Sequence, residues 1–268
     1  MAAKPRPLAS ELSAHDRDRM HRAAELLLRA RRERQPIHHL PEELRPANLT
    51  EAYALQDMIA MACAPISGWK VGAPSPDATP LFSAMPAWGG YAESGQRISR
   101  NYHRYGGVEA EIAFQLGQDL PVRPRPYTRD EVVMAIAGAH PAIEILESAF
   151  ADPDQVDRLS VIGDLQMNGG FAFGPPAPNW PSIDLAGESV TLFVDNEVRF
   201  QDTASNSAGS DLLRLVVWLA NEGSSRTGGL RAGDWITTGS WTGKTFARPG
   251  QTVRASFINF GECVISLE

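Results

Sequence analysis

The stretch Gly107-Val108-Glu109-Ala110-Glu111-Ile112-Ala113-Phe114 alternates in the manner of a β-strand, whose successive side chains point to opposite faces. The alternation predicts Val108, Ala110, Ile112 and Phe114 on one face, with Glu109 and Glu111 together on the other. Two carboxylates so spaced lie roughly 6–7 Å apart and repel each other unless a positive group sits between them. Lysines on a partner strand would serve, and so would a divalent cation. Further along, Pro141-Ala142-Ile143-Glu144-Ile145-Leu146 places a third acid in an apolar run, where a lone carboxylate is costly to bury. The competing reading of Glu109 and Glu111 is a solvated strand face; the third acid tips the balance toward a site. Three carboxylates without cysteine or paired histidine favour a hard cation, Mg²⁺ or Mn²⁺, over Zn²⁺. Glu147 competes for the third place. Spacing of three reverses the face of a strand, so Glu144 and Glu147 cannot both serve, and the apolar bracket favours Glu144.

The chain has 268 residues and a formal charge of −7, enough for one substantial core and unsuited to general nucleic-acid or acidic-membrane binding. Cys63 and Cys263 are the only cysteines, so a disulfide framework is excluded. Neither a signal-peptide core nor a bilayer-length apolar run is present, and a cytoplasmic location is the expectation.

From the N-terminus, residues Ser10 to Arg34 read as an amphipathic helix with Met20, Ala23, Ala24 and Leu27 inward and a basic end suited to the helix C-terminus. His38 and His39 read as loop surface. Asn48-Leu49-Thr50 opens a second helix with Ala52, Leu55, Ile59 and Met61 as core residues. Together these helices are expected to form a cap over residues 1–64, ahead of a main domain over 65–268, and part of an oligomer contact. Ser67-Gly68-Trp69-Lys70-Val71-Gly72 reads as a short strand, with Lys70 either an exposed strand lysine or a pocket residue. The Pro-rich segment from Pro74 to Gly95, carrying Leu81, Phe82, Met85 and Trp88, reads as an apolar lid too irregular for a central strand. Thr128 with Glu131 forms a capping box for a helix through Ala139, with His140 as its C-terminal cap. Val190 to Val194 and Val198 to Phe200 flank a hairpin turn. Ser210 caps a helix with Leu212, Leu215, Val216 and Leu219 buried, and three strands close the chain.

Gly68-Trp69-Lys70-Val71-Gly72, the Glu109-x-Glu111 strand, Ala142-Ile143-Glu144-Ile145 and Thr238-Gly239-Ser240 occur in that order. Together they resemble the 2-keto-4-pentenoate hydratase and 4-oxalocrotonate decarboxylase group of the fumarylacetoacetate hydrolase superfamily. Weaker echoes run from Ala52-Tyr53-Ala54-Leu55-Gln56 to Gly261-Glu262-Cys263-Val264, so the resemblance spans most of the chain. It implies an α+β fold, a mixed β-roll with an N-terminal helical cap, and Mg²⁺ or Mn²⁺ held by Glu109, Glu111 and Glu144. It further implies a small 2-oxo acid substrate, Lys70 as the catalytic group that stabilises charge or moves a proton, and Thr238, Gly239 and Ser240 as donors to the substrate carboxylate. The competing reading of that last triplet is a bulge or turn.

The activity so implied is hydration of a 2-hydroxypentadienoate-type compound. The alternatives are a 4-oxalocrotonate-type decarboxylase, an acylpyruvate-type hydrolase and a non-catalytic 2-oxo-acid-binding member. A homo-oligomer, with or without a complex with a pathway neighbour, is the expected assembly. The chain departs from the hydratase pattern where Pro-Asp-aromatic-Gly finds its nearest match in Pro86-Ala87-Trp88-Gly89. It departs again at Glu147-Ser148-Ala149, where the group tends to carry Asp-Ser-Arg, and at Asp164-Leu165-Gln166-Met167, in place of an Asp-Asn-Ala-Ser-like segment.

Overall fold

The Glu-x-Glu stretch lies at the centre of an eight-stranded mixed sheet in the computed structural model, which describes residues 12–87, 90–99 and 104–268. Its strand, β5 (Gly107–Leu116), is flanked on one side by β6 (Ile136–Leu146) and on the other by β10 (Trp235–Thr237). Beyond β10 come β1 (Ile66–Gly72) and β2 (Leu81–Pro86); beyond β6 come β7 (Asn168–Phe173) and β3 (Tyr91–Glu93). The short β11 (Thr245–Phe246) pairs with the start of β5. Packing between β2 and β7, with a Tyr91 hydroxyl donating to the Met85 carbonyl at 2.9 Å, curls the sheet into a roll.

The period-two pattern divides the sheet into two chemistries. Val108, Ala110, Ile112, Ile143 and Ile145 point out of the roll and are buried against a second, five-stranded sheet. That sheet is ordered β4 (Arg97–Ile98), β13 (Gly261–Leu267), β12 (Thr252–Phe257), β8 (Ser189–Val194) and β9 (Glu197–Thr203). Asp195, with φ of 55°, makes the β8–β9 turn, as the hairpin reading anticipates. The other face lines the roll. Its inner wall is acidic around Glu109, Glu111 and Glu144, and it is packed with Met85, Ala113, Ala142, Phe171 and Trp235 farther along.

Helix α1 (Ala14–Glu33), capped by Ser13, and α2 (Leu49–Ala62), capped by Asn48, share a core with Ala84, Phe150 and Leu165 of the sheet domain. Ser10, where the sequence reading begins the first helix, lies outside the described residues. The basic end of α1 is more than an electrostatic match to the helix terminus. Arg31 turns inward, is buried, and pairs with Asp164 at 2.7 Å. Met61, expected in the core, is 67% exposed because it falls on the outer side of α2.

Two further expectations fail for one reason, local signals yielding to sheet pairing. The segment expected to be an irregular lid contains β2, paired along its length with β1 from Leu81 to Pro86, and Phe82 and Met85 are core residues. Trp88 and Gly89 lie outside the described residues. The capping box at Thr128 and Glu131 is present, but its helix, α3 (Arg129–Ala135), ends where β6 begins. His140 is therefore a buried strand residue, its Nδ1 2.8 Å from the Gly174 carbonyl and its ring edge-on to Trp235, rather than a helix cap. The late helix, α5 (Leu213–Asn221), buries Leu212, Leu215, Val216 and Leu219 as expected, without a side-chain cap from Ser210. Among the described residues, no helix is long and apolar enough to cross a membrane.

Truncating Ile143, fully buried between the two sheets, tests this arrangement. Ile143→Ala is expected to lower the unfolding free energy by about 2–5 kcal/mol in denaturant titrations. A loss below about 1 kcal/mol would mean that the sheets do not pack there.

Candidate active site

Register brings the acids together. Glu109 on β5 stands directly opposite Glu144 on β6, and Glu111 lies one inward-facing position along from Glu109. One carboxylate oxygen from each of the three falls within 4.8 Å of the others. Like charges opposite one another destabilise a sheet, so this arrangement needs compensation. Part of it comes from Lys70 on β1, two strands away from β5. Its Nζ donates to Glu144 Oε2 at 2.7 Å and to the Gln166 carbonyl at 3.1 Å, with the lysine side chain 14% exposed. Lys70 is thus held inside the roll and is not an exposed strand lysine.

Neutral donors complete the cluster. Asn168 Nδ2 donates to Glu144 Oε1 at 2.8 Å. The Thr237 hydroxyl donates to Glu111 Oε2, and the Gly239 backbone N–H reaches the same oxygen at 3.0 Å. Gly239 has φ of +88°, a conformation that suits glycine and aims its N–H inward. Ser240 stands beside Glu109 and favours its ionised form. Thr238 is turned the other way: buried, it donates its hydroxyl to the Ile112 carbonyl at 2.6 Å and fastens β10 to β5. The hydroxyl beside the carboxylates is that of Thr237, a residue the sequence reading passes over. Strand alternation from Thr238 was the available signal.

Glu147 lies beyond the end of β6, where its carboxylate accepts backbone N–H groups of Arg104, Tyr105 and Ser148. It is spent on the fold of that loop and is absent from the acidic cluster.

The electrostatics follow from burial. Burial, with repulsion from Glu144, pushes Glu109 up to about 7, although Lys70 pulls the other way. Glu111 is raised well above the usual carboxylate range by burial first and by Glu144 second. Burial works against the Lys70 ammonium, but Glu144, Glu109 and Glu111 outweigh it and hold the amine above its ordinary value. Three acids and one amine leave an unmet demand for positive charge. All three carboxylates offer hard oxygen donors, so this donor set fits a divalent cation.

A turn with an unusual backbone supports the cluster. Leu165, Gln166 and Met167 have φ of 56°, 49° and 65°, three consecutive non-glycine residues in the left-handed region. Each costs roughly 1–2 kcal/mol. The turn leads from α4 (Arg158–Gly163) into β7, presenting the Gln166 carbonyl to Lys70 and Asn168 to Glu144.

Residue 87 is remote from all this. The β1–β2 register pairs Lys70 with Ser83 but Ile66 with Pro86, so Ala87 follows the end of β2 that lies away from the carboxylates. The loop at the near end leaves β1 at Gly72, whose Cα abuts Gly239, and carries Pro76-Asp77 with Asp77 exposed.

Residues 76–267 match the family described as fumarylacetoacetate (FAA) hydrolase C-terminal. The chain belongs to the fumarylacetoacetate hydrolase family. Within this family it is similar to 2-keto-4-pentenoate hydratase of Paraburkholderia xenovorans (strain LB400), 29% identical over 249 residues covering 85% of this chain and 87% of that protein. It is also similar to 2-oxo-hept-4-ene-1,7-dioate hydratase of Escherichia coli, 24% identical over 258 residues covering 89% and 94%. Its fold superimposes on 4-oxalocrotonate decarboxylase from Pseudomonas putida G7, a structure complexed with magnesium and adipate, with a TM-score of 0.79. That match is 21% identical and covers 94% of this chain and 98% of the other, so the helices that precede the family region belong to the shared fold. The chain stands close to the hydratase and decarboxylase branch of the fumarylacetoacetate hydrolases.

The raised Glu109 and Glu111 predict how the chelator-treated protein responds to pH. The folded state keeps protons that the unfolded state releases, so the stability linked to these groups is full below about pH 4.5 and declines as pH rises toward about 7. The melting temperature in chelator should fall across that window, and added Mg²⁺ should remove most of the fall. A flat chelator profile would contradict three clustered, mutually repelling carboxylates.

Proposed function

We propose that this chain is a divalent-metal-dependent lyase acting on a small 2-oxo acid or its dienol. The observation that carries the reading is the set of three carboxylate oxygens within 4.8 Å of one another, with Lys70 bonded to one of them. Glu109, Glu111 and Glu144 would hold the cation, Mg²⁺ or Mn²⁺. The bound ion would supply Lewis acidity toward a substrate 2-oxo group, an effect worth several kcal/mol in such sites.

The protein's own groups then have distinct tasks. Thr237, Gly239 and Asn168 hold the carboxylates in one orientation, so that little reorganisation accompanies charge development. Lys70, kept as an ammonium by its acidic neighbours, is a proton donor to a carbanionic carbon. Ser240, half-buried at the edge of the cluster, is the group of that loop we assign to a substrate carboxylate, the Gly239 N–H being taken by Glu111. Asp77 on the β1–β2 loop is the candidate for a second proton-transfer group.

Loss of CO₂ and addition of water both proceed through an enolate of the 2-oxo acid. In decarboxylation the electron pair of the broken C–C bond enters the enolate, and one proton delivered to carbon completes the reaction. Lys70 suffices for that step, which favours the carboxy-lyase reading. Hydration is the second reading, supported by the hydratases at 26–29% identity. It requires a group that also deprotonates water, the task assigned to Asp77. The assembly that fits this reading is a homo-oligomer in the cytoplasm.

Glu109→Gln should weaken Mg²⁺ or Mn²⁺ binding by at least tenfold in calorimetric titration and abolish turnover, with the fold retained; the outer-shell range for such sites is about 10–100-fold. Wild-type metal affinity in this variant would take Glu109 out of the site. Lys70→Met should retain metal binding and slow turnover by about 10²–10⁴-fold. Turnover of a 2-oxo dienoic acid panel by the wild type distinguishes the two reactions: CO₂ release marks a decarboxylase, and loss of diene absorbance without CO₂ marks a hydratase. No turnover together with intact metal binding would reject both.

A further inference from the structure

Arg31 lies on α1, outside the residues that match the family, yet its guanidinium is wholly buried behind the carboxylate cluster. It brackets the left-handed turn. On the near side Nη2 donates to the Asp164 carbonyl at 3.0 Å and Nε to the Asp164 carboxylate at 2.7 Å. On the far side Nη1 donates to the Asn168 carbonyl at 3.1 Å, and Nη2 also reaches the Glu147 carbonyl at 3.1 Å. Everything between those two anchors, Leu165 to Met167, is in the unfavourable conformation. The second Asp164 oxygen takes the Ser148 hydroxyl at 2.9 Å and the Ala149 N–H at 2.8 Å, and Glu147 N–H donates to the Met167 carbonyl at 2.9 Å. The turn is thus held from both ends and from behind.

What the turn presents is the inner side of the site. Its middle carbonyl, from Gln166, accepts from Lys70, and the residue that ends it, Asn168, donates to Glu144. We propose that Arg31 is a positioning residue for the Lys70–Glu144 pair: by clamping Asp164 and Asn168 it keeps the Leu165–Met167 turn left-handed, and the turn sets where the amine and the carboxylate stand. Relaxed to ordinary backbone, the turn would withdraw the Gln166 carbonyl from Lys70 and rotate Asn168 off Glu144. A lysine at position 31 cannot replace the clamp, because a single ammonium lacks the planar fork that spans carbonyls on both sides. The consequence for metal affinity rests on the proposed function; the consequence for the turn does not.

The test uses Arg31→Lys and a control on the same helix, Met20→Ala, which removes a buried apolar side chain about three helical turns from the clamp. Amide hydrogen exchange of residues 164–168 is measured in the chelator-treated full chain, and Mn²⁺ affinity by electron paramagnetic resonance. Arg31→Lys should speed exchange in that segment at least tenfold and weaken Mn²⁺ binding by about 10–100-fold. Met20→Ala should lower the melting temperature without either change. Asp164→Asn, which keeps the side chain's shape, tests the same clamp from its other end and should move both readouts in the direction of Arg31→Lys, including where Arg31→Lys does not fold. Wild-type exchange and affinity in the folded clamp variants, or equal changes in Met20→Ala, would overturn the assignment. Wild-type protein that binds no Mn²⁺ would instead refute the proposed function, while the exchange arm still decides the clamp.

Discussion

Repulsion among three clustered carboxylates is the constraint around which the molecule is arranged. Glu109, Glu111 and Glu144 occupy adjoining places on the inner wall of a roll, Glu111 and Glu144 buried where water screens them little and Glu109 half-buried beside them. One ammonium, one amide, one hydroxyl and one backbone N–H offset part of the cost, contributed by β1, by β7 and by the end of β10 with the loop after it. The sheet order β1-β10-β5-β6-β7 gathers exactly the needed donors onto neighbouring strands. An ordinary globular protein would avoid such a concentration of like charge. A protein that retains it is storing electrostatic potential for something positive to occupy.

The outer structure makes this arrangement affordable in conformational terms. The second sheet covers the apolar face of β5 and β6 with Val190, Leu192, Val253 and Ile265, so the strands carrying the acids cannot rotate or slip register. Helices α1 and α2 cover the far side of β2 and reach Phe150 and Leu165, next to the turn that supports Lys70. Rigid packing outside and polar convergence inside are two faces of one alternation pattern.

Much of this was legible in the sequence. The Glu-x-Glu alternation and the apolar bracket of Glu144 are local signals, and they correctly place all three acids on one face of neighbouring strands. The capping box at Thr128 and Glu131 and the buried stripe of α5 were also local. What escaped reading depends on contacts between distant segments. Nothing near Arg31 distinguishes it from Arg29 or Arg32, since its partner Asp164 is far along the chain. The strand β2 hides among prolines because its stability comes from pairing with β1. His140 reads as a helix terminus until β6 is seen to begin at Ile136. Thr237 and Thr238 exchange roles according to a strand phase that one residue of uncertainty reverses.

The inside of the roll has one further consequence. Past the carboxylates, its bore is filled by Met85, Phe171 and Trp235, with Tyr91 and Phe173 packed against them. Trp235 and Phe173 stack at 4.1 Å between ring centres. The plug joins side chains of β2, β3, β7 and β10, so the end of the roll away from the carboxylates behaves as one stiff unit.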